Sequence, residues 1–262
     1  MNKTLLFVNG LDPSGGRGLL VDQRMVHNFR FFSCGVVTCL YYQNTAVLTG
    51  IEVLPVGQVA QQLDAIFSDL AVHGAKIAGI LDPGHAKLLA SLLPTFKVPV
   101  TLFAPRFFTF EGRPLLAEEQ IRPICEALIP VCTAAILHRR TAEFLLGHPI
   151  PDVNAMREAA KEMEGMGAKT VILTGGDLTG RAVDALLENG HVNAFDVARQ
   201  PTDNRLGMGD AFGAFLLGSI LRGSTMPQAV QAAKMYLHKT QIHNFHIGKG
   251  LLFWFSRKRT IA

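Results

Sequence analysis

A chain of 262 residues, 48% hydrophobic and 18% charged, is long enough to bury a large α/β core. Its formal charge of +4 is mild, and the basic residues are dispersed except for Arg257, Lys258 and Arg259, whose place at the tail predicts a solvated terminus. Nucleic acid is therefore excluded as a partner, and so is the membrane, because the longest apolar helical run, Ala211–Leu221, is too short to span a bilayer. The four cysteines, Cys34, Cys39, Cys125 and Cys132, form no Cys-x-x-Cys pair, and Met1-Asn2-Lys3 leads straight into a strand-like run. Free thiols in a cytoplasmic protein without a signal peptide are expected.

In chain order, Leu5–Val8 is a continuous apolar run that stops at Asn9-Gly10. Similar runs follow at Gly35–Cys39, Val98–Phe103, Ala134–Leu137 and Thr170–Leu173. Unbroken rather than alternating apolar strands signal burial on both faces, the habit of parallel sheets. Helical stripes lie between and after them: Val59, Leu63, Ile66 and Leu70; Val153, Met156, Ala160 and Met163 behind an Asp152 N-cap; and Met226, Val230, Ala233 and Leu237 behind Ser224-Thr225, with Pro227 in the first turn. Alternating strands and helices predict one α/β domain over residues 1–262, a central mostly parallel sheet with helices on both faces. Ligands then bind beyond the C-terminal ends of the strands.

Two stretches fall there, and a third precedes an apolar helix. The first strand leads into Gly10-Leu11-Asp12-Pro13-Ser14-Gly15-Gly16-Arg17-Gly18, with Asp22 opening a helix. The second leads into Tyr41-Tyr42-Gln43-Asn44-Thr45, where a Gln amide that both donates and accepts suits the edge of a heteroaromatic ring. The third is Asn204-Arg205-Leu206-Gly207-Met208-Gly209-Asp210, ahead of the apolar helical run. Glycines let that backbone turn sharply, and the free N–H groups of a helix start favour an anion. A phosphate beside a carboxylate is what a kinase needs to take a proton from an alcohol.

These residues resemble the hydroxymethylpyrimidine/phosphomethylpyrimidine kinases of thiamine biosynthesis, members of the ribokinase-like superfamily. The likeness continues through Gln62–Leu70, Gly112–Leu116, Gly167–Lys169, Gly175-Gly176 and Ile247–Gly250, in the family's order along nearly the whole chain. It implies a ribokinase-like three-layer α/β/α fold, ATP and Mg2+ as cofactors, and a pyrimidine alcohol as substrate. It also implies a homodimer. By the same resemblance, Asp22 and Gln43 bond the aminopyrimidine ring, and Gly10 and Pro13 line its pocket. Gly207, Met208 and Gly209 form the anion hole, and Asp210 is the general base. Glu143 matches the acidic residue of an Asn-x-x-Glu magnesium motif, and Arg140, Thr174, Gly176 and Lys249 lie on the nucleotide side.

The chain departs from the family's pattern mainly on that nucleotide side. An Asp-Pro after the middle strand is Ala104-Pro105 here, a lysine falls on Phe110, and the Thr-Pro-Asn segment reads His138-Arg139-Arg140. A lysine has become Thr174, a histidine Leu206, a small residue Arg17 and a glutamine Leu20. Arg139 and Arg140 either neutralise phosphate directly or are exposed charges at a helix start. The expectation is an ATP-dependent kinase of hydroxymethylpyrimidine or its monophosphate. Its rivals are a catalytically weak pyrimidine- or phosphate-binding relative and a kinase of another vitamer alcohol such as pyridoxal. His73, His85 and His191 fall near polar turns and are expected in solvent; His243 and His246 read as a helix-end pair, and Trp254 as a residue that docks on the core or on a second subunit.

Overall fold

A computed structural model of the chain describes residues 3–109, 112–201, 206–241 and 248. Its elements, in order, are β1 (Thr4–Leu11), α1 (Leu19–His27), β2 (Phe32–Gln43), β3 (Leu48–Val53), α2 (Val56–Phe67), β4 (Gly74–Ile77) and α3 (Pro83–Phe96). Then come β5 (Thr101–Phe103), α4 (Glu118–Leu128), β6 (Ala134–His138), α5 (Arg139–Leu146), α6 (Val153–Glu162) and a 3-10 turn (Met163–Met166). The chain continues with β7 (Thr170–Gly175), β8 (Ala182–Glu188), β9 (His191–Val197), α7 (Met208–Leu221) and α8 (Met226–Thr240).

The strands join one sheet in the order β3-β2-β1-β4-β5-β6-β7-β8-β9. The pairs from β2 to β7 are parallel, while β3, β8 and β9 run antiparallel at the two edges. Successive side chains of a strand point to opposite faces, and β1 shows the result. Leu6 and Val8 pack with residues of α2 to α6, whereas Leu5 and Phe7 pack with α1, α7 and α8. This is the expected layer of helices on each side of a mostly parallel sheet.

Helix α7 is apolar nearly all round, from Ala211 and Phe212 to Leu217 and Leu221, because it lies between α1 and α8 as well as against the sheet. Close packing on every side fixes its first turn relative to the strand ends. Thr225 caps α8 in a capping box with Gln228, and Asp152 caps α6 by accepting from Ala155 N at 2.9 Å.

The continuous apolar runs became β1, β2, β6 and β7, and the run at Val98–Phe103 shortened to β5, beyond Pro99. Strands β3, β4, β8 and β9 carry no such run and were not expected. His85 is a correction: it is fully buried, with Nε2 2.8 Å from Leu54 O. Met163 begins the 3-10 turn rather than ending α6, and Leu70 lies past the end of α2.

Candidate active site

The order of strands reverses at β1, which is flanked by β2 on one side and β4 on the other. Such a reversal opens a crevice at the C-terminal strand ends. Asn9 near the end of β1 and Lys76 in β4 stand on either side of it. Lys76 is 1% exposed; its stem passes Gly213, one turn beyond Asp210, where a Cβ would lie 2.9 Å from the Lys76 Cε. The missing side chain at Gly213 is what lets the lysine through.

The lysine gathers two carboxylates. Its Nζ lies 2.7 Å from Asp22 Oδ1, contributed by α1, and 3.0 Å from Asp210 Oδ1, contributed by α7. Asn9 Nδ2 donates to Asp22 Oδ2 at 2.9 Å and to Asp210 Oδ1 at 3.0 Å, and the Gly18 N–H donates to Asp210 Oδ2 at 3.0 Å. The Asp22 side chain is sealed, while that of Asp210 is 14% exposed. Of the two, Asp210 is the carboxylate that a substrate can reach.

Burial and partners drive the two acids apart. Burial pushes the Asp22 carboxyl up to about 7, against the pull of Lys76 and with the nearby charge of Asp210 adding to the rise. Burial acts on Asp210 in the same sense, but Lys76, the Gly18 N–H and Asn9 outweigh it and hold that carboxyl down at about 2. Lys76 pays its own desolvation, yet the two carboxylates raise it above an ordinary lysine. The cluster therefore keeps Lys76 and Asp210 charged at neutral pH, while Asp22 sits near its titration point. Paired acids held at different values are a recurring feature of acid–base sites.

Two glycines set the backbone around Asp210. Gly207 caps α7 at φ 75°, and a Cβ there would lie 2.3 Å from Gly16 O. Gly18 caps α1 at φ 70°, where a Cβ would lie 2.1 Å from Gly10 O. Only glycine fits both a left-handed φ and that proximity. The loop from Asp12 to Gly18 thus touches the turn before α7. The first α7 N–H with a helical partner is that of Ala211, to Gly207 O at 2.9 Å, so those of Met208, Gly209 and Asp210 precede the ladder.

Gln43 lies beside this loop, and its amide is already engaged. Nε2 donates to Asp12 Oδ2 at 3.1 Å, and Oε1 accepts from Arg17 Nε at 2.9 Å and from Arg17 Nη2. Gln43 and Arg17 line a cleft of about 100 Å³ together with Thr45, Arg106, Thr109 and Leu206. Asp22 is not in that wall; it is fully buried, with its two oxygens bonded to Lys76 and Asn9. Gly10 is buried against the Tyr41 ring and Pro13 is exposed.

The nucleotide-side residues gather at the ends of β6 and β7. Arg139 clasps Asp177 through Nε–Oδ1 at 3.1 Å and Nη2–Oδ2 at 2.7 Å. Arg140 Nε is 3.4 Å from Asp177 Oδ2, and His138 Nε2 is 3.6 Å from Oδ1. Burial, opposed by Asp177 and reinforced by the neighbouring arginines, lowers His138 below an ordinary histidine. The arginine pair is thus built into a network rather than standing free at a helix start. Thr174 Oγ1 donates to Leu137 O at 3.4 Å, and Gly176 O accepts from Arg199 Nη1 at 2.6 Å. Lys249, Phe110, His243, His246, Trp254 and the Arg257–Arg259 cluster lie outside the described residues.

Glu143 is engaged through one of its oxygens, Oε1. Its carboxylate accepts from Arg139 and from the Ile150 N–H at 2.7 Å, and position 104 offers a methyl group instead of a second carboxylate. Among the described residues, no group of three or more His, Cys, Asp or Glu side chains comes together to hold a metal ion.

Sequence reasoning brought Asp210, its glycine turn and the Asp12–Gly18 loop into one place, and it missed Lys76, Asn9 and Asp177. A lysine in the short run Gly74–Ile77 was the available signal for Lys76. A charge in a strand buried on both faces needs a partner.

The sequence pattern described as "Phosphomethylpyrimidine kinase" matches residues 12–253. The hydroxymethylpyrimidine/phosphomethylpyrimidine kinase of Aquifex aeolicus is 28% identical over 246 residues, which cover 94% of this chain and 96% of that one. Among solved structures, phosphomethylpyrimidine kinase from Clostridium difficile is 23% identical with a TM-score of 0.80, covering 91% of this chain and 99% of its own. An ADP complex of Bacillus subtilis pyridoxal kinase is 21% identical with a TM-score of 0.87, covering 97% of each chain. These structural likenesses establish the fold, that of the ribokinase-like vitamin kinases. With the pattern running through nearly all of the strands and loops described above, the chain belongs to the phosphomethylpyrimidine kinase family, whose members are phosphotransferases.

Proposed function

We propose that the protein transfers the terminal phosphoryl group of ATP to the hydroxymethyl group of hydroxymethylpyrimidine, to its monophosphate, or to both. The observation that carries this reading is the Asp210 carboxylate, partly open, in the first turn of α7 beside N–H groups that precede the helical ladder. Phosphoryl transfer needs alignment and charge neutralisation more than covalent help from the protein. Asp210 would orient the alcohol and accept its proton, and the Met208 and Gly209 N–H groups would face the transferred charge. A carboxylate held as low as about 2 is a weak base. It suits a loose transition state, in which the alcohol keeps its proton until its bond to phosphorus is well advanced. When the monophosphate is the acceptor, the attacking oxygen is already anionic and Asp210 matters less.

Gln43 would meet the ring at the cleft, and Arg140, Thr174, Gly176 and Lys249 would lie toward the nucleotide. Mg2+ would enter with ATP, held mainly by the phosphates and water, since Glu143 Oε1 is already bonded to Arg139 and the Ile150 N–H. We further propose a cytoplasmic homodimer; exposed Tyr42, Val47 and Val53 give the β2–β3 edge an apolar surface for it, and sedimentation velocity reads the subunit number. Among the described residues no helix is long and apolar enough to cross a membrane.

A coupled ADP-release assay on the wild type and Asp210→Asn tests the proposal. We expect kcat on the free alcohol to fall by ~10²–10⁴-fold with little change in the KM for the pyrimidine. Unchanged turnover would remove Asp210 from this role. Two other readings have their own support. Arg17 in the cleft favours another ring alcohol such as pyridoxal. The engaged carboxylates at Glu143 and Asp177 favour a relative that binds without turnover, which would show a thermal shift with the pyrimidine and none with Mg-ATP.

A further inference from the structure

At the position where the family resemblance implies a small residue, this chain carries Arg17, which stands in the wall of the cleft. The residue is 5% exposed. Its guanidinium carbon lies 4.5 Å from the centroid of the Tyr41 ring, and two of its nitrogens spend their hydrogen bonds on one neutral acceptor, Gln43 Oε1. The third, Nη1, is buried without a hydrogen-bond partner. Charged groups taken out of water are ordinarily paired and fully bonded, and an orphaned buried donor is a costly feature to keep.

The rest of the wall points the same way. Arg106 also lines the cleft, and no aspartate or glutamate does among the described residues. Arginine offers donors only, in a planar fork that matches a carboxylate. By holding Gln43 Oε1, Arg17 also occupies the acceptor that an amino group on a ring would use.

We propose that Arg17 is a specificity-determining residue: the cleft accepts an amino-edged ring such as hydroxymethylpyrimidine, and it holds more tightly a ring alcohol that turns a negatively charged edge toward Arg17. The inference rests on the reading of this cleft as the place where the acceptor ring of the kinase sits.

Calorimetric titration without nucleotide tests it on the full chain, using a pair of probes matched in shape: hydroxymethyl-nicotinate, which carries a carboxylate, and hydroxymethyl-nicotinamide, which carries a neutral amide. Wild type is expected to bind the carboxylate about tenfold or more tightly than the amide, as charge-assisted bonds to a guanidinium warrant. Arg17→Ala is expected to erase that preference and to tighten binding of hydroxymethylpyrimidine by freeing Gln43; Arg17→Lys, which keeps the charge without the fork, should fall between. Wild type binding the two probes alike, or binding neither, overturns the inference, as does a preference that survives in Arg17→Ala. The wild-type comparison decides even if the alanine variant fails to fold. Because the titration uses no ATP, its result is independent of the Asp210→Asn assay, so failure of the selectivity and failure of the kinase reading are told apart.

Discussion

Two charged clusters stand over the same sheet and are built on opposite terms. The one at β1, β4 and α7 is sealed around a fully buried lysine that serves two carboxylates of unequal acidity. The one at β6 and β7 is half open, and its arginines are matched by Asp177 and Glu143. In the first, geometry holds charges that would otherwise separate, and one acid is left near its titration point. In the second, the charges offset one another and solvent screens the remainder. The contrast shows where this chain buries its charge: around Asp210, the carboxylate of the proposed alcohol site, more than at the ends of β6 and β7.

The largest effect should come from breaking the buried cluster at its centre. Lys76→Met leaves two carboxylates without their cation, and removing one partner of a buried ion pair commonly costs ~3–5 kcal/mol. Urea unfolding reads the loss, and adding Asp22→Asn to Lys76→Met should recover part of it. Full stability in Lys76→Met would show that the lysine is incidental to the cluster.

A smaller effect, opposite in sign for the two acids, should appear with pH. Asp22 has an ordinary value of 3.8 and a folded value of about 7, so between these the folded chain holds a proton that the unfolded chain has released. Its contribution to stability is present below about pH 4, declines as pH rises toward 7 and then levels off. Asp210 behaves in reverse: its stabilising share is present above about pH 4 and is lost as pH falls toward 2. Asp22→Asn should flatten the decline between pH 4 and 7 in urea midpoints while leaving the acid limb intact. A wild-type profile with no slope in that window would argue against the assignment.

The smallest effect belongs to the other cluster. Asp177→Asn should lower stability by no more than ~1 kcal/mol, the usual scale of partly exposed pairs, as read by thermal melting. With Arg139 and Arg140 released toward the phosphates, the KM for ATP should fall rather than rise. A rise would mean that Asp177 positions the arginines for the nucleotide instead of competing with it.

Much of this was legible in the sequence, and what escaped shares a cause. The runs at β1, β2, β6 and β7 are apolar on both faces, so burial wrote itself directly into composition. Strands β4 and β8 are equally buried, but Lys76 and Asp184 interrupt their apolar runs. Each charge is answered from far along the chain, Lys76 by Asp22 and Asp210, and Asp184 by Lys234 of α8 at 2.8 Å. A window of a few residues cannot contain such partners, so a buried ion pair disguises a core strand as a loop. Edge strands β3 and β9 were hidden for the ordinary reason that half of their residues face water. At the site, spacing placed Asp210 and its glycines, whereas the occupancy of Gln43 by Arg17 depends on rotamers that no motif encodes.

The contact between Gly207 and the Gly16 carbonyl has an evolutionary corollary. Main chain meets main chain there, so exchanging side chains cannot widen the gap between the two loops without moving the loops themselves. New preferences in such a chain must then arise from what projects inward from a fixed frame. A single replacement at position 17 is the kind of change that this rigidity leaves open.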